Sequence, residues 1–173
     1  MRIERLNGHH ILEKFDCGVK ELNDWLVNHA VENQRRNLSR TFVLIDGADE
    51  VVGYYSLTMG GVRVADFPKR LGRGLPDFDI GMVLLARLAL VGRLHGQGLG
   101  RDLMVDAILH AATAGENAAA RFIAVDPIDV SARNFYTAFG FRDIEGDERS
   151  RMYLRIDVAL AALREGLGTG EEH

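Results

Sequence analysis

A glycine-rich turn near the middle of the chain has the residue types and spacing to bind an anion. Glycine recurs at Gly96, Gly98 and Gly100, between an apolar run, 83–91, and a segment of helical spacing that begins at Leu99. Alternating glycines let backbone N–H groups converge on one point, and the new helix directs the positive end of its dipole there. The pattern indicates a phosphate site, although a flexible, glycine-containing strand-to-helix turn that binds no ligand has the same pattern.

Two common phosphate-binding loops do not fit this turn. A P-loop needs Lys followed by Ser or Thr after its last glycine, whereas Arg101 and Asp102 follow Gly100 here. The dinucleotide fingerprint needs the spacing G-x-G-x-x-G with an acidic residue about 20 residues further on. This chain has G-x-G-x-G followed by an alanine-rich helical segment. The sequence therefore favours neither loop.

The turn instead resembles the acyl-CoA loop of the GNAT acetyltransferases, whose pattern is R/Q-x-x-G-x-G/A. Residues 95–100 match this pattern except at the first position, where His95 replaces Arg or Gln. A second GNAT segment, A-x-x-F-Y-x-x-x-G-F, is matched completely by residues 132–141. Two motifs in the right order, each in its strand–helix setting, are far more specific than either alone.

The resemblance implies a single α/β domain with a central mixed β-sheet flanked by helices. In that family two parallel strands splay apart and hold acetyl-CoA between them. Its pyrophosphate would bind the amides of residues 96–101, and the backbone around Leu90 would polarise the thioester carbonyl. The residues implied in binding acetyl-CoA are Leu88, Leu90, His95, Gly96, Gln97, Gly98, Leu99, Gly100, Arg101 and Asn134.

Tyr136, in the second motif, is the residue that the resemblance places at the thioester sulfur. A phenol with an ordinary pKa near 10 is protonated at neutral pH and can donate to a leaving thiolate, whose pKa is about 8.5 judged by cysteine. The implied reaction is direct attack of a substrate amine on acetyl-CoA, with Tyr136 as general acid. The alternative is a core aromatic, the usual role of an isolated helical tyrosine.

A narrower resemblance, to the GNAT toxins of bacterial toxin–antitoxin pairs, extends over the first half of the chain. The residues that carry it are 15–18, Leu22, Trp25, Leu26, Ala30, 41–44, 53–55 and 85–89. Those toxins acetylate the α-amino group of aminoacyl-tRNA and block translation. The resemblance therefore implies aminoacyl-tRNA as substrate, a ribbon-helix-helix antitoxin as partner, and a homodimer.

The distribution of charge bears on an RNA substrate. With 21 basic and 25 acidic residues, the net charge of −4 argues against a uniformly basic surface. Acidic residues gather in the last third of the chain, so the earlier basic residues allow a one-sided basic face. The candidates for tRNA contact are Arg35, Arg36, Lys69, Arg70, Arg87 and Arg93. Solvated surface is the alternative for the basic segment 34–37.

Attack of an α-amine on acetyl-CoA needs little help from a general base. An α-amine has a pKa of about 7.7–8.0, against about 10.4 for lysine, so much of it is neutral at pH 7. Asp126, Asp129 and the pair Asp77 and Asp79 are candidate bases, with solvated loop acids as the alternative. Two other functions stay open: a GNAT enzyme for another amine, such as a protein N-terminus, polyamine or drug, and a non-catalytic acyl-CoA-binding module.

Periodicity predicts the elements that must position these residues. The run 83–91 predicts a central strand covered on both faces. The other predicted strands are 3–6, 41–45, 51–57 with a continuation at 59–64, 121–125, one that opens at Phe141, and 152–156. The predicted helices are 19–36, 99–115, 132–139 and 158–164. We expect Asp16, Asp129 or Ser131, and Asp157 to cap helices. The basic segment 65–79 is expected to be a loop and a candidate substrate gate.

Length and composition set the remaining expectations. A chain of 173 residues suits one domain, 1–165, followed by a disordered tail, 166–173. The single cysteine excludes an internal disulfide and a Cys-based zinc site, and His9–His10 has no third ligand suitably spaced, so no metal is expected. No apolar run approaches the ~20 residues of a membrane helix, and no signal-peptide core is seen. A cytoplasmic location is expected.

Overall fold

The computed structural model describes residues 1–66, 69–145 and 150–168. The strands are β1 Arg2–Arg5, β2 Arg40–Ile45, β3 Val51–Arg63, β4 Asp79–Leu90, β5 Phe122–Val125, β6 Arg142–Asp143 and β7 Met152–Arg155. The helices are α1 Lys20–Asn28, α2 Ala30–Arg35, α3 Lys69–Gly72, α4 Leu99–Asn117, α5 Val130–Ala138 and α6 Ile156–Gly168. None of these helices is long and apolar enough to cross a membrane.

The strands form one mixed sheet in the order β1-β2-β3-β4-β5-β7-β6, which confirms the predicted fold class. The pairs β1–β2, β2–β3, β5–β7 and β6–β7 are antiparallel. The chain divides into two compact units. The first comprises Met1–Thr58 and Leu85–Ala107, and the second comprises Met59–Leu84 and Ile108–His173.

In the first unit, α1 and α2 replace the single helix predicted over 19–36. His29 has φ −128°, outside the helical range, and so separates the two, although its amide still donates to the Trp25 carbonyl. The prediction that Asp16 caps α1 is wrong, because Val19 occupies that position without a side-chain bond. The Asp16 carboxylate instead accepts hydrogen bonds from the Gly18 amide and the Asn23 side chain, which fixes the turn before the helix.

The second unit packs around a small apolar core on one sheet face. The buried core residues are Ile80, Met82, Phe122, Ala124 and Tyr153. The prediction of a loop over 65–79 is wrong in part, because α3 lies within it and a 3₁₀ turn at Val64–Asp66 overlaps its start. Leu71 of α3 packs against the core and so holds this short helix against the sheet. Residues 67–68 of the predicted gate lie outside the described residues.

Helices α4 and α6 both exceed their predicted bounds. Helix α4 continues past Gly115. A glycine is needed at this position for packing and not as a helix stop, since a Cβ there would overlap the side chain of Ile156 at the start of α6. The helix ends two residues later, and Ala119 adopts the left-handed φ of +56°. Asp157 lies inside the first turn of α6 rather than at its cap, because α6 follows β7 directly. Residues 169–173 of the predicted tail lie outside the described residues.

Candidate active site

The glycine-rich turn connects β4 to α4 within the first unit. A 3₁₀ turn at Gly92–Leu94 comes first, and the His95 amide closes it by donating to the Gly92 carbonyl at 3.1 Å. Gly96 and Gly98 then have φ of +75° and +84°, in the left-handed region that L side chains avoid. A Cβ at either position would meet nothing within 4 Å, so backbone conformation, not lack of space, demands glycine here.

The start of α4 presents backbone donors to solvent. The Asp102 amide donates to the Gly98 carbonyl at 3.1 Å, which closes the first helical turn. The preceding amides, of Leu99, Gly100 and Arg101, have no acceptor within the part of the chain that the structure describes. Such donors, at the positive end of a 19-residue helix, suit a phosphate. These residues therefore fit the pyrophosphate of a CoA molecule.

The side chains of His95 and Gln97 hold the turn in place. His95 Nε2 lies 3.0 Å from the Leu90 carbonyl oxygen, which can only accept, so this nitrogen carries the proton. The Gln97 side-chain amide donates to the Arg93 carbonyl at 3.1 Å. His95, the one departure from the GNAT pattern, thus joins the turn to the end of β4. The donors that this turn leaves available to a ligand are the backbone amides at the start of α4.

Leu88 and Leu90 lie at the end of β4 where the turn begins. Leu90 is buried and Leu88 is half-buried, and alternation along a strand puts both side chains on the same face. The next amide, of Val91, donates to the Val52 carbonyl of β3 at 2.9 Å. This bond fixes the strand end from which a backbone group would meet the thioester.

Tyr136 lies on α5, in the second unit. Asp129 caps this helix by accepting from the Ala132 amide at 2.7 Å, and Gly140, with φ +88°, follows its end. The Tyr136 ring contacts Phe141 and is only 9% exposed. Its hydroxyl has no hydrogen-bond partner within the described residues, and it is not enclosed, since Ser39 Oγ is the only fully buried polar side-chain atom without a partner there. The group is therefore available to a ligand.

Burial raises the pKa of Tyr136 to about 12, with smaller contributions from the negative charges of Asp126 and Asp129. The phenol is consequently protonated throughout the physiological range. Neither neighbouring carboxylate is a free base. Asp126 accepts two hydrogen bonds from the Arg151 guanidinium, both at 2.7 Å, and Asp129 is engaged as the helix cap.

The remaining site candidates are exposed. Asn134 is on α5 with Tyr136, and Asp77 and Asp79 are near the start of β4. Arg101, in the first turn of α4, is exposed as well. Within the described part of the chain no group of three or more His, Cys, Asp or Glu side chains could hold a metal ion.

The basic candidates differ in how strongly protein carboxylates already engage them. Arg35 makes two bonds to Glu32, at 2.8 and 2.7 Å, and Arg70 lies 3.3 Å from Glu145. Arg93 lies 4.0 Å from Glu50. Arg36 and Lys69 are exposed and form no ion pair with a described residue. Arg87 contacts a tryptophan ring instead of a carboxylate. Arg35, Arg36, Arg87 and Arg93 belong to the first unit, and Lys69 and Arg70 to the second.

Sequence reasoning missed a groove of about 550 Å³ in the first unit. Its lining residues are Lys20, Glu21, Asp24, Trp25, His29 and Arg87. The available signal was the spacing of Glu21, Trp25 and His29, which places all three on one face of a helix. Arg87 comes from β4, far along the chain, and no local pattern connects it to them.

Comparison with known proteins connects these features to a family. The model of the acetyltransferase (GNAT) family matches residues 9–141. A tRNA-acetylating toxin of Mycobacterium tuberculosis is 36% identical over 155 residues, which are 89% of this chain and 92% of that toxin. The structure of AtaT complexed with acetyl-methionyl-tRNAfMet has a TM-score of 0.85 at 27% identity, covering 94% of this chain and 98% of AtaT.

A second similar structure is a tyrosine-to-phenylalanine variant of the AtaT toxin bound to acetyl-CoA and the C-terminus of the antitoxin AtaR. Its TM-score is 0.79 at 25% identity, covering 94% of this chain and 97% of that one. The family match covers more than half of the present sequence and includes both motifs. The chain therefore belongs to the acetyltransferase (GNAT) family.

Proposed function

We propose that this protein is a toxin that acetylates the α-amino group of aminoacyl-tRNA and so blocks translation. The similarity to the tRNA-acetylating toxin carries the proposal, because it spans 89% of this chain and 92% of the relative. A match confined to the glycine-rich turn would support acyl-CoA binding alone. The similarity to AtaT complexed with acetyl-methionyl-tRNAfMet supports the same class of substrate. A cytoplasmic location follows from such a substrate.

The residues at the β4–α4 turn and on α5 are proposed to bind acetyl-CoA, which supplies the acetyl group as a thioester. The backbone donors of residues 96–101 suit its pyrophosphate, since the left-handed glycines expose these amides. The proposed contacts for the rest of the molecule are the backbone of Leu88 and Leu90 and the side chain of Asn134. His95 and Gln97 keep the turn in shape.

Tyr136 is proposed to donate a hydrogen bond, and finally a proton, to the departing sulfur. Its raised pKa makes the phenol a weaker acid than the leaving thiol. The hydroxyl therefore stabilises the negative charge on the sulfur mainly by its hydrogen bond. When its proton passes to the sulfur, the proton released by the attacking amine nitrogen replaces it, which leaves free thiol, amide and neutral Tyr136. No general base is assigned, because Arg151 and the α5 cap engage Asp126 and Asp129. A neutral α-amine does not need one.

Six basic residues are proposed to contact phosphates of the tRNA. They are Arg35, Arg36, Lys69, Arg70, Arg87 and Arg93. We expect Arg36 and Lys69 to contribute most among the surface positions, since neither forms an ion pair with a described carboxylate, although the charge of Glu32 acts on Arg36. An antitoxin and a homodimer complete the proposal, together with a catalytic domain over residues 1–165. Binding of AtaR to AtaT supports the antitoxin.

The proposal is tested by offering the purified protein acetyl-CoA and three kinds of amine: a panel of aminoacyl-tRNAs, a peptide with a free N-terminus, and a polyamine. We expect labelled acetyl groups to appear on the α-amine of at least one aminoacyl-tRNA and not on the other amines. Transfer to the peptide or polyamine alone would mean a different acetyltransferase. Acetyl-CoA binding without any transfer would mean a binding module.

The pH dependence of this reaction follows from two groups. We expect kcat/KM for aminoacyl-tRNA to rise with pH through about 7.7–8.0, as the α-amine loses its proton, and then to level off. Burial raises the pKa of Tyr136 to about 12. The acid form therefore persists over this range and is lost only as the pH approaches that value. Initial rates between about pH 6 and pH 10 test this, and a falling limb above about pH 8.5 would contradict it.

A further inference from the structure

Three side chains of the first unit form a stack beneath the groove. The rings of Tyr54 and Trp25 are nearly parallel, with centroids 5.9 Å apart, and the Arg87 guanidinium lies 4.2 Å from the Trp25 centroid. Tyr54 and Trp25 are buried, and the Tyr54 hydroxyl donates to the Leu22 carbonyl at 2.9 Å. The stack joins β3, α1 and β4 and therefore holds the Arg87 guanidinium over the Trp25 ring.

Arg87 forms no hydrogen bond or ion pair with any residue that the structure describes, so its donors can meet a ligand. Two carboxylates, of Glu21 and Asp24, line the same groove, yet neither forms an ion pair with Arg87 in the described structure. Asp24 is paired with Lys20. A guanidinium that lies over an aromatic ring keeps its N–H donors, and their fork geometry matches the oxygens of phosphate.

The size and position of the groove limit its ligand. Its volume of about 550 Å³ suits a group the size of a nucleotide. Arg87 precedes Leu90 by three residues on β4, which corresponds to about 10 Å along a strand. At Leu90 the backbone carbonyl accepts the hydrogen bond from His95 that connects the glycine-rich turn to the strand. One nucleotide with its aminoacyl group extends over a comparable length.

We propose that this Trp25–Arg87 groove binds a phosphate of the single-stranded 3′ end of the RNA that carries the aminoacyl group. The inference rests on the proposed function and adds a site to it. Contacts to phosphate fix the position of a nucleic acid, and single strands are commonly bound on aromatic rings and guanidinium planes. The groove would thereby set how far the terminal amine reaches towards the thioester.

The experiment compares wild type with Arg87→Ala and Arg87→Lys, using aminoacyl-tRNA and an aminoacyl-adenosine of the same amino acid, which has no phosphate. Arg2→Ala is the control, since Arg2 is an exposed arginine of the same unit outside the proposed sites. We expect Arg87→Ala to raise KM for aminoacyl-tRNA by about 10- to 100-fold, the usual effect of losing a charge-assisted hydrogen bond. Its salt slope should fall by about 0.7, the value for one phosphate of a single strand.

Arg87→Lys separates charge from geometry. Lysine still neutralises a phosphate but lacks the stacked fork, so the salt slope should stay at its wild-type value while KM rises. Rates with aminoacyl-adenosine should be equal for all four proteins. An unchanged KM of Arg87→Ala for aminoacyl-tRNA would overturn the inference. An equal loss with both substrates would also overturn it, since Arg87 would then only support the packing of Trp25.

Binding of uncharged tRNA, measured by fluorescence anisotropy without acetyl-CoA, separates this inference from the proposed function. If the wild type transfers no acetyl group to any aminoacyl-tRNA, the proposed function fails. The groove is then judged by affinity alone. A tenfold or greater loss of tRNA affinity in Arg87→Ala, with no such loss in Arg2→Ala, would support the groove as a phosphate site. Equal tRNA affinities of Arg87→Ala and the wild type would overturn it.

Discussion

Replacing Tyr136 with phenylalanine is expected to lower kcat for acetyl transfer by roughly 10²–10⁴-fold, the usual contribution of general acid catalysis. The substitution removes one hydroxyl and keeps the ring against Phe141. The hydroxyl has no partner among the described residues, so its loss leaves no buried group unsatisfied and the fold should persist. KM should change little, because the bond to sulfur strengthens only as charge develops.

Single-turnover rates and acetyl-CoA affinity measure this effect. Tyr153→Phe is the matched control, because Tyr153 is also a buried tyrosine of the second unit but packs against Phe122 in the core. That control should acetylate at the wild-type rate. In cells, the Tyr136→Phe variant should also lose the growth arrest caused by the wild type. A Tyr136→Phe protein with an unchanged rate would identify Tyr136 as only a core aromatic.

Features encoded in a few adjacent residues were predictable from the sequence. The turn after β4 follows from alternating glycines, and two of these, Gly96 and Gly98, have the positive φ that makes glycine necessary. Helix α5 follows from a cap at Asp129 and a stop at Gly140. The family assignment from these two motifs is confirmed by the family match over residues 9–141. Both motifs are local, so one sequence suffices to read them.

Features that depend on residues distant in sequence were not predictable. The bond between Arg151 and Asp126 arises because β5 and β7 pair Val125 with Met152, which brings the next residues opposite each other. This pair removes Asp126 from the candidate bases. The contact of Arg87 with Trp25 depends likewise on packing of β4 against α1. Strand register and helix packing decide such contacts, and no local pattern reveals them.

Helix ends were predicted less well than helix existence. Gly115 suggested the end of α4, yet the residue lies inside the helix, where the absence of a side chain leaves space for Ile156. His29 gave no sign of a break, yet it separates α1 from α2. His29 also lines the Trp25–Arg87 groove, so this break lies beside the proposed phosphate site. Packing therefore overrides local propensity in the regions that surround the proposed ligands.

Replacing Gly98 with valine is expected to abolish measurable acetyl-CoA binding. Gly98 has φ +84°, a conformation that costs an L residue about 1–2 kcal/mol and a β-branched one more. The backbone should therefore move to a negative φ. The amides at the start of α4 would then no longer converge. Losing two charge-assisted hydrogen bonds to pyrophosphate reduces affinity by at least about 100-fold.

Isothermal titration calorimetry with acetyl-CoA measures the loss, and thermal unfolding shows whether the variant is folded. The turn is exposed and a Cβ at Gly98 would meet nothing within 4 Å, so the rest of the fold should tolerate the change. Gly47→Val is the matched control, because Gly47 is an exposed turn glycine with equal space and no positive φ. That control should bind acetyl-CoA like the wild type. Unchanged affinity in a folded Gly98→Val protein would show that the pyrophosphate binds elsewhere.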